Sequence, residues 1–201
     1  MGPVSVNSLS SFIESIEKLT LKSKGSLFFR GHSKWSYKAI PSIFRSDKSS
    51  ENERNLFLDL TSESPNEFSQ DICQFDRLVR AQHYGLPTRI LDTTTNPLIA
   101  LFFACRSHEK IDGEVLTFSV PAETLKFSSS DAIACKANLS LLTRSERNSL
   151  GREALECMKS FYDDPQQISL TDFEAENPSG YADFVREWNR CESTRVRIHN
   201  Q

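Results

Sequence analysis

The chain predicts an α+β fold: a small central sheet covered by helices, in a single compact domain. Three observations carry this expectation. The short apolar run 27–29 and the alternating run 114–120 have strand patterns, and several stretches place apolar residues at helical spacing. The third is composition, since 201 residues that are 38% hydrophobic and 25% charged can bury one core. The expected organisation is a helix within 1–25 that packs on the core, followed by one domain over 26–201.

Each element has a local reason. Leu9, Phe12, Ile13, Ile16 and Leu19 fall on one helical face that Asn7 or Ser8 can cap. Residues 27–29 read as a buried strand that delivers Arg30 at its end, with Gly31 letting the chain turn. The polar stretch 46–54 reads as a flexible loop or a frayed helix start without function. A helix is expected from Pro65, with Phe68, Ile72, Phe75, Leu78 and Val79 inward and Gly85 ending it. Gln82 continues its apolar face.

Pro87 forces an extended approach, and 88–92 reads as a short strand with Ile90 in the sheet. Asn96 and Pro97 start a helix through Cys105 that is apolar all round, which predicts a central position. Residues 114–120 form a strand, with 115–118 in the sheet. Thr143 and Glu146 form a capping box for a helix from Arg144 to about Phe161. A short helix over 182–189 and a strand over 196–198 complete the reading.

Composition excludes several function classes. A net charge of −3 provides no broad attraction to a polyanion, although a local arginine cluster can still hold phosphate. The five cysteines are widely spaced and odd in number, which predicts reduced thiols and no metal site. No apolar run approaches the roughly 20 residues that span a bilayer, and the start lacks a leader pattern. The expected location is the cytoplasm, with no membrane partner. GxGxxG, P-loop, HExxH and serine-elbow motifs do not occur in the sequence.

Polar residues gather in two islands. Arg30, Gly31, His32, Trp35 and Tyr37 form the first, and Gln82, His83, Tyr84, Thr88, Arg89 and Asp92 the second. Arg30 suits phosphate through its planar fork, or pairs with an acid such as Asp92. Arg89 can bind an anion oriented by Asp92, or the two can form a local ion pair. His32 and His83 can move protons or merely cap carbonyls. Arg30, Gln82, His83, Arg89 and Asp92 are expected to converge in one concave region.

Two segments carry a family resemblance. FFRGHSKWSYKAIPSIFR (28–45) and QHYGLPTRILDTTTNPLIALFFAC (82–105), with Pro65, Glu67 and Phe68 between them and an Asp-Gly-x-Val strand at 112–115, resemble the FRG domain, named for its Phe-Arg-Gly motif. Residues 197–201 are similar to a motif that in the family precedes Gly-x-Phe, so the resemblance spans 26–201 and implies a truncated end. Thr93 departs from the large apolar residue frequent in the family after Leu-Asp.

The Arg-Gly at an early strand is similar to the phosphate-binding arginine of ADP-ribosyltransferases. The resemblance implies a nucleotide-handling domain acting on NAD, in the manner of an ADP-ribosyltransferase or NAD glycohydrolase. Asp92, His83 and Glu114 are then the catalytic candidates. Arg30, Gly31, His32, Tyr37, Gln82, Tyr84, Thr88 and Arg89 are the ligand-binding candidates. No cofactor is required, and NAD enters as substrate. The alternative is a non-enzymatic module that recognises a protein partner or a small nucleotide signal in a prokaryotic defence or toxin system.

Overall fold

The structure, a computed structural model, describes residues 4–108, 110–159 and 192–198. The fold is α+β. Its described elements run β1 (Val4–Val6), α1 (Leu9–Lys22), β2 (Ser26–His32), α2 (Asp47–Glu51), α3 (Glu53–Glu63), α4 (Gln74–His83), α5 (Pro97–Cys105), β3 (Gly113–Val120), α6 (Asp131–Asn138), α7 (Arg144–Lys159) and β4 (Glu192–Ile198). They fall into two compact units, the first built from 1–39, 92–125 and 187–201, the second from 40–91 and 126–186. The expectations for 182–189 and 199–201 lie outside the described residues.

The first unit holds the sheet, in the order β1-β4-β3-β2. β3 runs antiparallel to both its neighbours, and β1 joins β4 in parallel. Three-residue β1 has too few residues to show a pattern in the sequence. On one face, Phe29 and Val115 pack with Phe12 and Ile16 of α1 and with Ala100 and Ala104 of α5. Ser8 caps α1, and Ser11 returns the bond to the Ser8 backbone, so two donors of the first turn are satisfied.

Two expectations about this unit are corrected. Gly31 lies inside β2 and makes no turn. A Cβ there would stand 1.9 Å from the Ala100 carbonyl oxygen, and one on Gly113 would stand 2.5 Å from the Ala104 carbonyl oxygen. The two glycines thus let α5 settle backbone-close onto the sheet. Nor is α5 central: Ala100 and Ala104 are its buried residues, while Leu98, Ile99, Phe102 and Phe103 are each about half exposed. The alanine stripe makes the close contact, so the bulky residues are left facing outward.

The second unit is helical, with Phe57, Phe68, Leu78, Ala81 and Ala137 as its buried core. Here two expectations fail, and a third is decided between its alternatives. The helix expected from Pro65 is broken into a 3-10 turn, Pro65–Phe68, and α4, which begins at Gln74. The break lets Phe68 enter the core, turns Asp71 back to accept from Arg80 Nε at 2.8 Å, and leaves Ile72 95% exposed. Residues 88–92 are not a strand. Their backbone bonds go elsewhere, with Thr88 N–H donating to Ser42 Oγ at 3.0 Å and the Thr88 carbonyl accepting from Ile43 N–H at 3.2 Å. For 46–54, read as a flexible loop or a frayed helix start, the structure takes the helical alternative, as α2 and the start of α3, with Glu53 buried.

The ends of the helices agree with the sequence. Gly85 has φ 86°, and Leu86 N–H reaches the Ala81 carbonyl at 3.0 Å while Gly85 N–H reaches Gln82, which closes α4 in a Schellman motif. Asn96 accepts Leu98 N–H at 2.9 Å ahead of Pro97. Thr143 and Glu146 make the reciprocal capping pair.

Candidate functional site

Alternation along β2 turns Arg30 and His32 to the opposite face from Phe29 and Gly31. Across the ladder His32 stands opposite Glu114, and Arg30 opposite Leu116. His32 and Glu114 are both buried, and His32 Nδ1 lies 3.3 Å from Glu114 Oε1. Arg30 donates its Nε to His32 Nε2 at 3.1 Å and its Nη1 to the Asp92 carbonyl oxygen at 2.6 Å. Asp92 itself is exposed.

This chain of bonds assigns the imidazole proton. A guanidinium can only donate, so His32 Nε2 must offer a lone pair, and the ring hydrogen sits on Nδ1, facing Glu114. The carboxylate orients the ring, and the ring orients the guanidinium. Sequence reading placed Arg30, His32 and Glu114 in the site without this order among them, because their pairing depends on the register of β2 against β3.

The ladder extends both rows into β4, where residue 197 stands opposite Glu114 and residue 195 opposite Leu116. Both positions are arginines, Arg195 and Arg197. Neither position was a site candidate in the sequence. Their signal is the alternation Arg195-Val196-Arg197-Ile198, which puts the two arginines at strand positions of one parity.

Tyr37 lies next to this row, its ring centroid 6.2 Å from that of His32 and 6.5 Å from that of His108. Lys34 Nζ stands 5.7 Å from the Tyr37 ring centroid, and Trp35 N–H donates to the Asp112 carbonyl at 2.9 Å. Tyr37 and Trp35 are both about half exposed.

Gln82, His83, Tyr84, Thr88 and Arg89 belong to the second unit. Thr88 Oγ1 donates to Gln82 Oε1, tying the segment after α4 back to its last turn. Tyr84 donates its hydroxyl to Glu67 at 2.6 Å, and that bond raises the phenol above its ordinary value. His83 is exposed at the end of α4. Arg89 donates Nε and Nη2 to the two oxygens of Glu53 at 2.8 and 2.5 Å. Arg147 adds its Nη1 to Glu53 at 3.3 Å and reaches the Leu142 carbonyl at 2.6 Å. Burial pulls the Arg147 guanidinium below its ordinary value, and Glu53 opposes that shift. Arg89 thus shares a buried carboxylate with a second arginine, a pairing hidden in the sequence because Glu53 lies in a stretch that reads as a polar loop.

Among the described residues no cluster of three or more His, Cys, Asp or Glu could hold a metal ion, and no helix is long and apolar enough to cross a membrane. Neither a curated protein nor a solved structure matches the chain. A family model does match, that of the FRG domain, over residues 25–113. This stretch contains Arg30, His32, the 82–105 segment and the start of β3, and it is shorter than the 26–201 implied by resemblance. Over residues 25–113 the chain is therefore similar to the FRG domain.

Proposed function

We propose that the domain handles a nucleotide, gripping the diphosphate with Arg30, and that NAD is the nucleotide it takes. The observation that supports this most is the oriented guanidinium: Arg30 is held by His32 and by the Asp92 carbonyl, in a row that ends on buried Glu114. A planar guanidinium fixed in this way suits bidentate contact with phosphate. Tyr37 and Trp35 offer aromatic surface for a base or a nicotinamide ring.

In the ADP-ribosyltransferase or NAD glycohydrolase version of this reading, cleavage at the ribose needs a carboxylate near developing positive charge. Exposed Asp92 takes that role. Glu114 is engaged by His32, so it serves as a positioning residue for Arg30. The same engagement favours a second reading, a nucleotide-signal or partner-recognition module that binds without turnover.

Calorimetric titration of NAD and a chromatographic assay of its consumption separate these readings. Arg30→Lys keeps the charge and loses the fork, so NAD binding should weaken by about 1 to 3 kcal/mol with little change in melting temperature. A sharp fall in melting temperature in a protein that never binds nucleotide would make Arg30 a structural residue. Binding without consumption would assign the recognition role.

A further inference from the structure

A second set of anion-binding groups lies next to the Arg30 row. The turn between α5 and β3 is closed by Ile111 N–H on the His108 carbonyl at 2.8 Å, with His108 in the left-handed region at φ 62°. It borders an open hollow of about 500 Å³ lined by Arg106, Ser107, His108, Lys110 and Ile111. Over 106–111 the sequence sets Arg106, His108 and Lys110 against one acid, Glu109.

Tyr37 connects the hollow to the Arg30 row. Its hydroxyl lies 3.4 Å from His108 Nε2, and its ring stands edge-on to both His108 and His32. A ligand resting on Tyr37 would therefore have Arg30 and His32 toward one end and the cations of the turn toward the other.

We propose that this hollow is a second anion subsite of the nucleotide site, which makes the ligand a nucleotide with a further phosphate besides its diphosphate. The proposal rests on the reading of Arg30 as the diphosphate anchor. The donors are two full cations, an imidazole and the Ser107 hydroxyl, a set that suits a phosphate monoester.

The test compares NAD with its 2′-phosphorylated form, NADP, by calorimetric titration of the full chain. The phosphorylated form should bind about tenfold tighter or more, the range of charge-assisted bonds to one added phosphate. In the Arg106→Ala, Lys110→Ala double variant the preference should vanish while NAD affinity holds. Equal affinities in the unaltered protein would overturn the subsite and leave the Arg30 reading standing.

If neither nucleotide binds, the Arg30 reading fails, and histidine NMR with inorganic phosphate decides the subsite separately. The chain has four histidines, so the His108 ring signal can be assigned by His108→Gln. A phosphate-dependent shift of that signal, lost in the double variant, keeps an anion site there. Absence of a shift, or a shift that persists in the double variant, overturns it and leaves Arg106 and Lys110 as complements to the carbonyl end of α5.

Discussion

Gly31 is an extended residue that serves the fold through the side chain it lacks. Its sequence context asks for a turn, yet its position in β2 is extended, and what it supplies is room for α5. Gly31→Ala would place a methyl carbon 1.9 Å from a backbone oxygen, which no rotamer can relieve. Overpacking of this kind costs about 3 kcal/mol or more, and a urea midpoint should fall accordingly. An unchanged midpoint would mean that α5 does not press on this strand. Glu53 is the counterpart in the second unit. Glu53→Ala leaves Arg89 and Arg147 facing each other with their shared acceptor removed, and breaking a buried pair costs about 3 to 5 kcal/mol. A loss under 1 kcal/mol in the same denaturation experiment would show that the backbone carbonyls around Arg147 suffice.

Among elements, α5 separates the two accounts of the molecule most cleanly. Its apolar sequence predicts a central helix, in which Phe102→Ser would cost about 3 kcal/mol or more by loss of buried area. Half exposure of Phe102 predicts a much smaller loss, within about 1 kcal/mol. The midpoint of the variant distinguishes them. Helix ends were legible because their chemistry is local: Asn96-Pro97, Thr143 with Glu146, and Gly85 each act within a few residues. What could not be read depends on distant partners. Composition cannot say that Ala100 and Ala104 would outcompete Phe102 and Phe103 for the sheet, because that choice is made by Gly31 and Gly113. The false strand at 88–92 has the same origin, since Ser42 and Ile43 take the backbone bonds that a ladder would have used. At the site, the residue types of the Arg30 row were visible in sequence, whereas its order came from the register of β2 on β3.

At the scale of the whole molecule, acid stability integrates the surface pairs. Arg80 holds the Asp71 carboxyl below its ordinary value of 3.8, and the Thr143 backbone and hydroxyl hold Glu146 below 4.5. Depressed carboxyls contribute stability that is complete above their ordinary values and lost as pH falls through the lowered ones. Stability should therefore decline below about pH 4, and Asp71→Asn or Glu146→Gln should flatten that acid limb. Parallel limbs for variant and parent would show that neither pair matters to folding.

The contact between α5 and Gly31 also has a mechanical meaning. Arg30 and His32 flank the glycine on either side, one peptide away, and project from the reverse of the same strand. Polar chemistry occupies one side of this triplet and backbone-close packing the other. The rigidity of the guanidinium is thus borrowed in part from a helix on the opposite face of the strand. Lifting α5 by even a fraction of its contact distance would tilt β2 at Gly31 and be transmitted to Arg30 with almost no intervening lever arm.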